Sequence, residues 1–403
     1  MSFFQGYIER YVRYPAFIEQ MPLPDLGIVV VIPSCKEQEL LRTINSLSAC
    51  MVPQCGVEVI VVVNEPEFCP ESVHRQNDFT INELFDWKKR NTGSFFNLYA
   101  IRPDPFPRKH AGAGMARKTG MDEAIRRFEK VGNHEGIIFS LDADTLVDAG
   151  YFVQAEHIFH SGLNPVGITF AFSHRVNELE DERLQTGILL YEKYLHYYKE
   201  ALAFSGYPHA IHTIGSAFAV RSDAYVKQGG MSRRQAGEDF YFLHKLTQLG
   251  HVAELDSTFV YPSGRVSDRV PFGTGFAMKK WAGGDDSLMK TYCFQSFRDL
   301  KTFFGMIPSF YPGRPGSCLS EEREIPRPVA VFLKKDHFKE RLDEIKRNSS
   351  SFASFRKRFF LTFNAFKIMK FLNFSHPGFY EFQGLDEALL QLEEQKERRR
   401  GEI

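Results

Sequence analysis

Two short runs of β-branched residues near the N-terminus constrain the fold more than any other feature of this 403-residue chain. The first is IVVVI at positions 28–32, bounded by Gly27 and Pro33, and the second is VEVIVVV at positions 57–63. Apolar runs of this length, interrupted only by Glu58 in the second, are typical of strands buried on both faces, as in parallel sheets. Between them, apolar residues recur near helical spacing over 37–49. The pattern therefore predicts a βαβ unit and an α/β fold.

Further patterns extend this unit into a larger sheet. Strands are predicted at 97–101, 137–141, 166–172, 215–220, 252–255 and 258–261, and helices at 112–130, 181–202 and 238–249. Residues 64–95 are polar, and we expect an irregular insertion there. Residues 102–110 (RPDPFPRKH) contain three prolines, which predict a loop. From about residue 286 the pattern is mostly helical. We therefore predict an N-terminal extension (1–25), a catalytic domain (26–285) and a mainly helical C-terminal region (286–403).

Two aspartates, Asp142 and Asp144, follow directly on the apolar strand predicted at 137–141. Open α/β sheets bind their ligands at the carboxyl ends of strands. Two carboxylates at such an end suit Mg²⁺ or Mn²⁺ bridging to a diphosphate. Ala143 between them is expected to point away. An ordinary strand-to-helix turn, capped by Asp144 or Thr145, is the competing interpretation.

The order of the motifs resembles that of family 2 glycosyltransferases, which have the GT-A fold. The resemblance covers residues 26–262 and rests on IVVVIPSCKE, VIVVVNEPE, GAGMARKTG, SLDADTLVD, GSAFAVRSDAYVKQGGM and AGEDFYFLHKLTQLG. It implies a mostly parallel central sheet flanked by helices, with a helical C-terminal appendage. It also implies transfer of a sugar from a nucleoside-diphosphate sugar (a UDP- or GDP-sugar) to a hydroxyl acceptor, with Mn²⁺ or Mg²⁺ as cofactor.

The resemblance assigns roles to two acidic pairs. Asp142 and Asp144 would hold the cation on the diphosphate of the donor. In the second pair, Glu238 and Asp239, the aspartate would be the general base of an inverting transfer, because a carboxylate within reach of a hydroxyl raises its nucleophilicity. Capping of the helix that begins there is the competing interpretation of this pair.

The resemblance also places the nucleoside. Pro33 and Glu37 match a loop that contacts the nucleoside, although Lys36 stands where the family usually has asparagine. Asn64 replaces an aspartate that commonly holds the base, and an amide can donate to or accept from a uracil edge. The choice between uridine and guanosine therefore stays open.

Three arginines are candidates for the diphosphate. Arg117, in GAGMARKTG, matches an arginine near the diphosphate, and guanidinium groups fit phosphate oxygens; a surface arginine is the alternative. Lys118 lies about 100° further round the helix and is predicted to be exposed. Arg265 and Arg269, in the glycine-containing loop at 262–275, would close over the donor. A plain surface loop is the alternative.

Composition and charge exclude several classes of protein. Lysine plus arginine equals aspartate plus glutamate at 50 each, so no nucleic-acid partner is expected. The six cysteines form no C-x-x-C pair and no cluster with histidine at zinc-finger spacing, which favours reduced thiols. No signal peptide and no apolar stretch of spanning length is found, which predicts a cytoplasmic protein.

Two features leave the acceptor open between a glycan, a lipid-linked glycan and a small metabolite. Residues 355–374 combine five basic residues with many phenylalanines, which predicts either peripheral contact with a membrane or docking on the catalytic domain. His209 and His212 either line the acceptor site or are structural.

A noncatalytic sugar-nucleotide-binding or scaffold protein remains an alternative function. So does a nucleotidyltransferase, but such enzymes normally have a glycine-rich phosphate loop, and PSCKE at 33–37 has no glycine.

Overall fold

The structure is a computed structural model that describes residues 2–235, 237–267, 273–311 and 325–401. The chain forms two compact units. The first consists of Met1–Glu180 and Thr213–Lys279, and the second of Asp181–His212 and Lys280–Ile403. The helix predicted at 181–202 therefore belongs to the second unit. The predicted domain boundaries stay predictions.

Strands and helices alternate through most of the first 230 residues. Among the described residues the strands are β1 (Leu26–Ser34), β2 (Gly56–Val63), β3 (Phe96–Ile101), β4 (Ile137–Ser140), β5 (Leu146–Val147), β6 (Gly167–Phe172), β7 (Phe218–Arg221), β8 (Val252–Tyr261), β9 (Lys290–Thr291) and β10 (Gln383–Gly384). The α-helices are α1 (Phe3–Tyr11), α2 (Leu40–Ser48), α3 (Glu71–Arg90), α4 (Ala113–Val131), α5 (Tyr151–Phe159), α6 (Glu182–Phe204), α7 (Ser222–Lys227), α8 (Glu238–Leu246), α9 (Thr274–Ala282), α10 (Phe294–Gly305), α11 (Arg327–Lys335), α12 (Phe338–Arg347), α13 (Phe352–Thr362), α14 (Ala365–Ser375) and α15 (Leu385–Gly401).

The first unit is built on one eight-stranded sheet with the order β3-β2-β1-β4-β7-β6-β8-β5. The strands β3, β2, β1 and β4 run parallel to one another. Strand β7 is antiparallel to both of its neighbours, and β6 pairs with β8 in parallel. Strands β1, β4 and β6 therefore point the same way and end at the same edge of the sheet. The predicted α/β fold with a mostly parallel sheet is confirmed.

The two β-branched runs occupy the centre of the sheet, as predicted. All residues of 28–32 and of β2 are buried. Helix α4 lies against these strands, and a Cβ atom at Gly120 would lie 2.4 Å from Val31 Cγ1 and 2.8 Å from Val62 Cγ2. No side chain fits into that space, so glycine at this position allows the close contact between helix and sheet.

The prediction that residues 64–95 form an irregular insertion is wrong. Most of this segment is the 20-residue helix α3. Its buried residues, Asn77, Thr80, Leu84 and Trp87, follow helical spacing, but two of the four are polar. An apolar period is therefore weak in the sequence, although the helix has one buried face.

The two strands predicted at 252–255 and 258–261 are one strand, β8. Asp256 and Ser257 in its middle are exposed. The pairing with β6 shifts in register between Phe170 and Ala171, opposite this point. Two adjacent polar residues at such an irregularity have the same sequence pattern as a turn between two strands.

The prediction that Lys118 is exposed is also wrong, because helix α1 covers the outer face of α4. Lys118 is buried, and its Nζ donates to Asp122 Oδ2 at 2.8 Å and to Tyr7 Oη at 3.3 Å. Tyr7 and Tyr225 also donate to Asp122, at 2.7 and 2.9 Å. The N-terminal segment thus completes the packing of α4.

A buried ion pair fixes the C-terminal half of α4, and its loss is predicted to destabilise the protein. Arg127 and Glu58 of β2 are both fully buried, with Arg127 Nη2 donating to Glu58 Oε1 at 2.6 Å. Glu58→Gln leaves the guanidinium without its counter-charge, so we expect a loss of about 3–5 kcal/mol in denaturant unfolding. Glu71→Gln breaks the exposed pair with Arg75 and is the matched control, expected to change stability by less than about 1 kcal/mol. Equal midpoints would contradict this prediction.

The second unit is helical and has a core of phenylalanines. In the segment 355–374, Phe355, Phe359 and Phe363 are buried in this core, where Phe303 packs on the last two at ring distances of 5.8 and 5.4 Å. The basic residues at 356–358 are exposed. Within the described residues, no helix combines the length and apolar character that a membrane span requires.

Candidate active site

The predicted site residues of the first unit meet at the edge where β1, β2 and β4 end. Pro33 is the second-last residue of β1, and Glu37 lies three residues after the end of the strand. Asn64 follows β2, and Asp142 and Asp144 follow β4. These strands are adjacent and parallel, so the three loops lie side by side, in the position where open α/β sheets bind ligands.

Arg117 connects the two predicted acidic pairs. It is buried on α4 and forms ion pairs with Asp142 through Nη2 and with Glu238 through Nη1. A Cβ atom at Gly215 would lie 2.5 Å from Nη2, so a side chain there would displace the guanidinium. Burial opposes the charge, but the attraction of Asp142, Glu238 and Asp239 outweighs it and raises the pKa of Arg117. The interpretation of Arg117 as a surface arginine is therefore wrong.

Two glycines allow the start of α4 to approach the segment before α8. A Cβ atom at Gly112 would lie 2.7 Å from the carbonyl oxygen of Gln235, and one at Gly114 would lie 2.2 Å from that of Arg234. The same atom at Gly114 would contact Glu238 Cγ at 3.0 Å. The GAG sequence before Arg117 thus brings the second acidic pair within reach of the arginine.

The second acidic pair has raised pKa values. Desolvation raises the pKa of Glu238 to about 7, with the charge of Asp239 acting in the same direction and that of Arg117 against it. Burial likewise raises the pKa of Asp239. Asp239 Oδ1 accepts from its neighbour's amide, Phe240 N, at 2.7 Å. Carboxylates with raised pKa values near the carboxyl-terminal edge of a sheet are suited to accept a proton near neutral pH.

A second arginine, Arg265, bridges two acids of the other loops. Its Nη2 donates to Asp144 Oδ2 at 2.7 Å and also forms an ion pair with Glu37 Oε2. Glu37 is buried, and its Oε1 accepts from the backbone amides of residues 38 and 39 at 2.9 and 3.1 Å. Arg269, predicted to act with Arg265, lies outside the described residues.

Sequence reasoning missed Arg175, which holds the turn of the Asp-x-Asp motif. Arg175 Nη2 donates to the carbonyl oxygen of Asp144 at 2.7 Å and to Glu39 Oε2 at 3.3 Å. Thr43 Oγ1 donates to the carbonyl oxygen of Ala143 at 2.9 Å, and Ala143, expected to point away from the aspartates, is buried. Arg175 follows β6, which ends at the same edge as β4. Its position after a strand that ends at this edge is the sequence signal by which Arg175 could have been found.

Asn77 of α3, also missed, organises the loops near Asn64. Its Oδ1 accepts from Lys36 N at 2.9 Å, and its Nδ2 donates to the carbonyl oxygen of Asn64 at 3.1 Å. Asn64 N in turn donates to the carbonyl oxygen of Ser34 at 2.9 Å. Lys36 has φ +50°, a left-handed conformation in which asparagine is more common than lysine. The predicted nucleoside-binding loops are therefore held by a helix that the sequence did not reveal.

The side chains of the two aspartates after β4 are ligands of the type that a hard divalent cation prefers. Carboxylate oxygens are the ligands that Mg²⁺ and Mn²⁺ prefer. The side chain of Asp142 is 36% exposed and that of Asp144 20% exposed, so ligand can reach both. The pair supplies two carboxylates, and the oxygens of a bound diphosphate would supply further ligands. Arg117 and Arg265 compensate the two negative charges in the structure described here.

His209 and His212 belong to the second unit. The ring of His212 packs on that of His196 at 5.0 Å, and burial lowers the pKa of His212 to about 3. His212 is therefore neutral at physiological pH.

Comparisons with known proteins gave no match to a family model and none to a curated protein. Among solved structures, the chain is similar to residues 1–349 of TarS from S. aureus in complex with UDP-GlcNAc, with a TM-score of 0.44 and 13% identity over 89% of this chain and 94% of that one. It is also similar to the mannosyltransferase PcManGT from Pyrobaculum calidifontis in complex with GDP-Man and Mn²⁺, with a TM-score of 0.40 and 11% identity over 89% and 92% of the two chains. These values describe a distant similarity.

Proposed function

We propose that this protein is a metal-dependent, inverting glycosyltransferase that moves a sugar from a nucleoside-diphosphate sugar to a hydroxyl acceptor. One observation carries the proposal: two arginines each form ion pairs with one of the aspartates after β4 and with a second acid. Arg117 contacts Asp142 and Glu238, and Arg265 contacts Asp144 and Glu37. This arrangement offers cationic groups for a diphosphate and carboxylates for a cation and for a proton.

The proposed reaction is a single displacement. The acceptor's hydroxyl oxygen attacks the anomeric carbon of the donor sugar and forms the new glycosidic bond. The bond between that carbon and the diphosphate oxygen breaks, and its electron pair leaves with the nucleoside diphosphate. The hydroxyl proton passes to the carboxylate of Asp239. Burial raises the pKa of this group, which makes it a stronger base than an exposed aspartate.

The two arginines would bind the diphosphate of the donor. Guanidinium groups match phosphate oxygens in geometry and remain charged at all relevant pH values. A bound diphosphate would compete with Asp142 and Asp144 for Arg117 and Arg265, releasing carboxylate oxygens. Asp142 and Asp144 would hold a cation, which would supply positive charge to stabilise the leaving diphosphate. Arg269 would act beside Arg265.

Glu238 and the loops after β1 and β2 would position these groups. Glu238 is buried against Arg117 and fixes the direction of its guanidinium. Glu37 does the same for Arg265. Pro33 and Asn64, at the ends of the adjacent strands, would contact the nucleoside, with the side-chain amide of Asn64 on the base.

A donor screen tests the function directly. We predict that the melting temperature of the full chain rises with the sugar nucleotides of one base, and rises further with Mn²⁺, because a ligand that binds the folded state stabilises it by about 2.7 kcal/mol at 100 times its Kd. The matched control is the corresponding nucleoside monophosphate, which lacks the diphosphate and should lack the response to Mn²⁺.

Release of the nucleoside diphosphate in the presence of glycan, lipid-linked and small hydroxyl acceptors then identifies the acceptor class. Stabilisation by a donor without release under any acceptor would favour a noncatalytic binding protein. Absence of stabilisation by every sugar nucleotide would contradict the proposed function.

A further inference from the structure

A second group of potential metal ligands lies between β2 and α3. It consists of Glu65, Cys69 and His74, each of which offers a ligand atom within 4.8 Å of the other two. His74 lies between its partners: its Nδ1 is 3.1 Å from Glu65 Oε1, and its Nε2 is 3.4 Å from Cys69 Sγ. Among the described residues, it is the one group of three or more His, Cys, Asp or Glu side chains whose ligand atoms lie this close together.

The carboxylate of Glu65 is oriented by neighbours that leave one oxygen to the group. Its Oε2 accepts from Arg102 Nη2 at 3.0 Å and from Asn77 Nδ2 at 3.2 Å. Its Oε1 faces His74. Glu65 is buried, so these contacts hold it firmly. Hydrogen bonds of this kind orient the ligands of protein metal sites and support their affinity.

We propose that Glu65, Cys69 and His74 form a binding site for Zn²⁺. Zinc binds thiolate sulfur at about 2.3 Å and imidazole nitrogen and carboxylate oxygen at about 2.0–2.2 Å, so the ligand atoms of a tetrahedral site lie roughly 3.3–3.7 Å apart. The three ligand atoms lie within 4.8 Å of one another, somewhat wider than this range. His74 Nδ1 faces Glu65 and Nε2 faces Cys69, so the ring must turn to bring a single nitrogen onto the ion. The side chain of His74 is 39% exposed, so its ring has room to turn one nitrogen onto the ion. A water molecule completes the fourth position.

Ligand chemistry separates this site from the aspartates after β4. A soft thiolate together with an imidazole selects zinc over magnesium and manganese, whereas an all-oxygen set favours the latter. The two sites therefore take different ions. Spacing in the sequence did not reveal the group, because one of its members is a glutamate and the other two are five positions apart.

Bound zinc would fix the strand-to-helix connection that carries the predicted nucleoside contacts. Glu65 directly follows Asn64, and His74 lies in the N-terminal part of α3, the helix that carries Asn77. Between them, Phe68 has φ +60° and is 99% exposed, so the connection has few packing contacts of its own at that point. Backbone hydrogen bonds between Phe106 and residues 65 and 67 hold its first part, and an ion bound at both ends would add a constraint across the exposed part.

Spectroscopic titration of the full chain with Co²⁺ tests the site, because cobalt replaces zinc and reports its ligands by absorption. We expect a thiolate-to-cobalt charge-transfer band and the visible bands of a tetrahedral ion at one Co²⁺ per chain, both abolished by Zn²⁺ and unaffected by Mn²⁺. Cys69→Ser should remove the charge-transfer band, and His74→Ala should weaken Co²⁺ binding at least 10-fold.

Two variants serve as matched controls. Cys293→Ser removes another partly exposed thiol, and His134→Ala removes a histidine that pairs with Glu129 at 2.8 Å without a cysteine. Both should retain the wild-type spectrum. Melting curves without metal verify that Cys69→Ser and His74→Ala are folded, which the surface position of the loop favours. A wild-type spectrum in Cys69→Ser, or no tetrahedral spectrum in the wild-type chain, would overturn the proposal whatever the outcome of the donor screen.

Discussion

Asp239→Asn is expected to lower kcat by roughly 10²- to 10⁴-fold, the usual contribution of a general base, while donor binding is retained. The amide has nearly the shape of the carboxylate but accepts no proton at neutral pH. Because Arg117 contacts Glu238 and Asp142 directly, its ion pairs survive the substitution. The measurements are release of the nucleoside diphosphate and, separately, the melting temperature with and without donor.

The pH dependence of the rate gives a second readout of the same proton transfer. Desolvation raises the pKa of Asp239, and that of Glu238 to about 7. A base acts in its ionised form, so the rate should fall as the pH drops through the raised pKa of Asp239 and reach a plateau above it. The residual rate of Asp239→Asn should lack this acidic limb.

Asp223→Asn is a suitable control, since this aspartate pairs with Arg221 and Lys227 on the surface of the same unit. We expect wild-type rates and an unchanged pH profile in this variant. Wild-type activity in Asp239→Asn would remove Asp239 from the mechanism. Loss of donor binding together with activity would instead indicate that Asp239 serves to position the arginine.

The central sheet was predictable because its signal is local. Every residue of IVVVI is apolar and buried, so the run indicates a buried strand without reference to the elements that pack on it. Helix α3 was not predictable in the same way, since Asn77 and Thr80 on its buried face are satisfied by hydrogen bonds to loops rather than by apolar packing. The prediction that Lys118 is exposed was wrong for a related reason, because its burial depends on α1, more than 100 residues earlier in the chain.

The sequence pointed to several residues of the candidate site but not to the contacts between them. Strand ends and motif order pointed to the aspartates and to Arg117. The contact between Arg117 and Glu238 spans 121 positions and depends on the close approach at Gly114, which the sequence does not show. The group of Glu65, Cys69 and His74 was not found because its spacing matches no common metal motif, and the orientation of Glu65 by Arg102 is visible only in the structure.

Asp144→Ala is predicted to abolish the part of donor binding that depends on Mn²⁺. Loss of a partner that only orients a metal ligand costs roughly 10- to 100-fold in affinity, and loss of the ligand itself should cost more. Arg265 keeps its ion pair with Glu37, so an arginine remains for the diphosphate, and weak donor binding without metal should persist. Thermal-shift titrations of the donor with and without Mn²⁺ measure both quantities.

Asp148→Asn provides the matched comparison, because Asp148 lies four positions later and faces other partners. Its Oδ1 accepts from Tyr261 Oη at 2.8 Å and its Oδ2 from Phe259 N at 2.9 Å, both on β8. The response to Mn²⁺ should survive this substitution even if stability falls, since none of the proposed ligands moves. An equal Mn²⁺ response in Asp144→Ala and the wild type would show that the carboxylates after β4 do not bind the cation. Arg117 and Arg265 would then be left as the groups that compensate the charge of the leaving diphosphate.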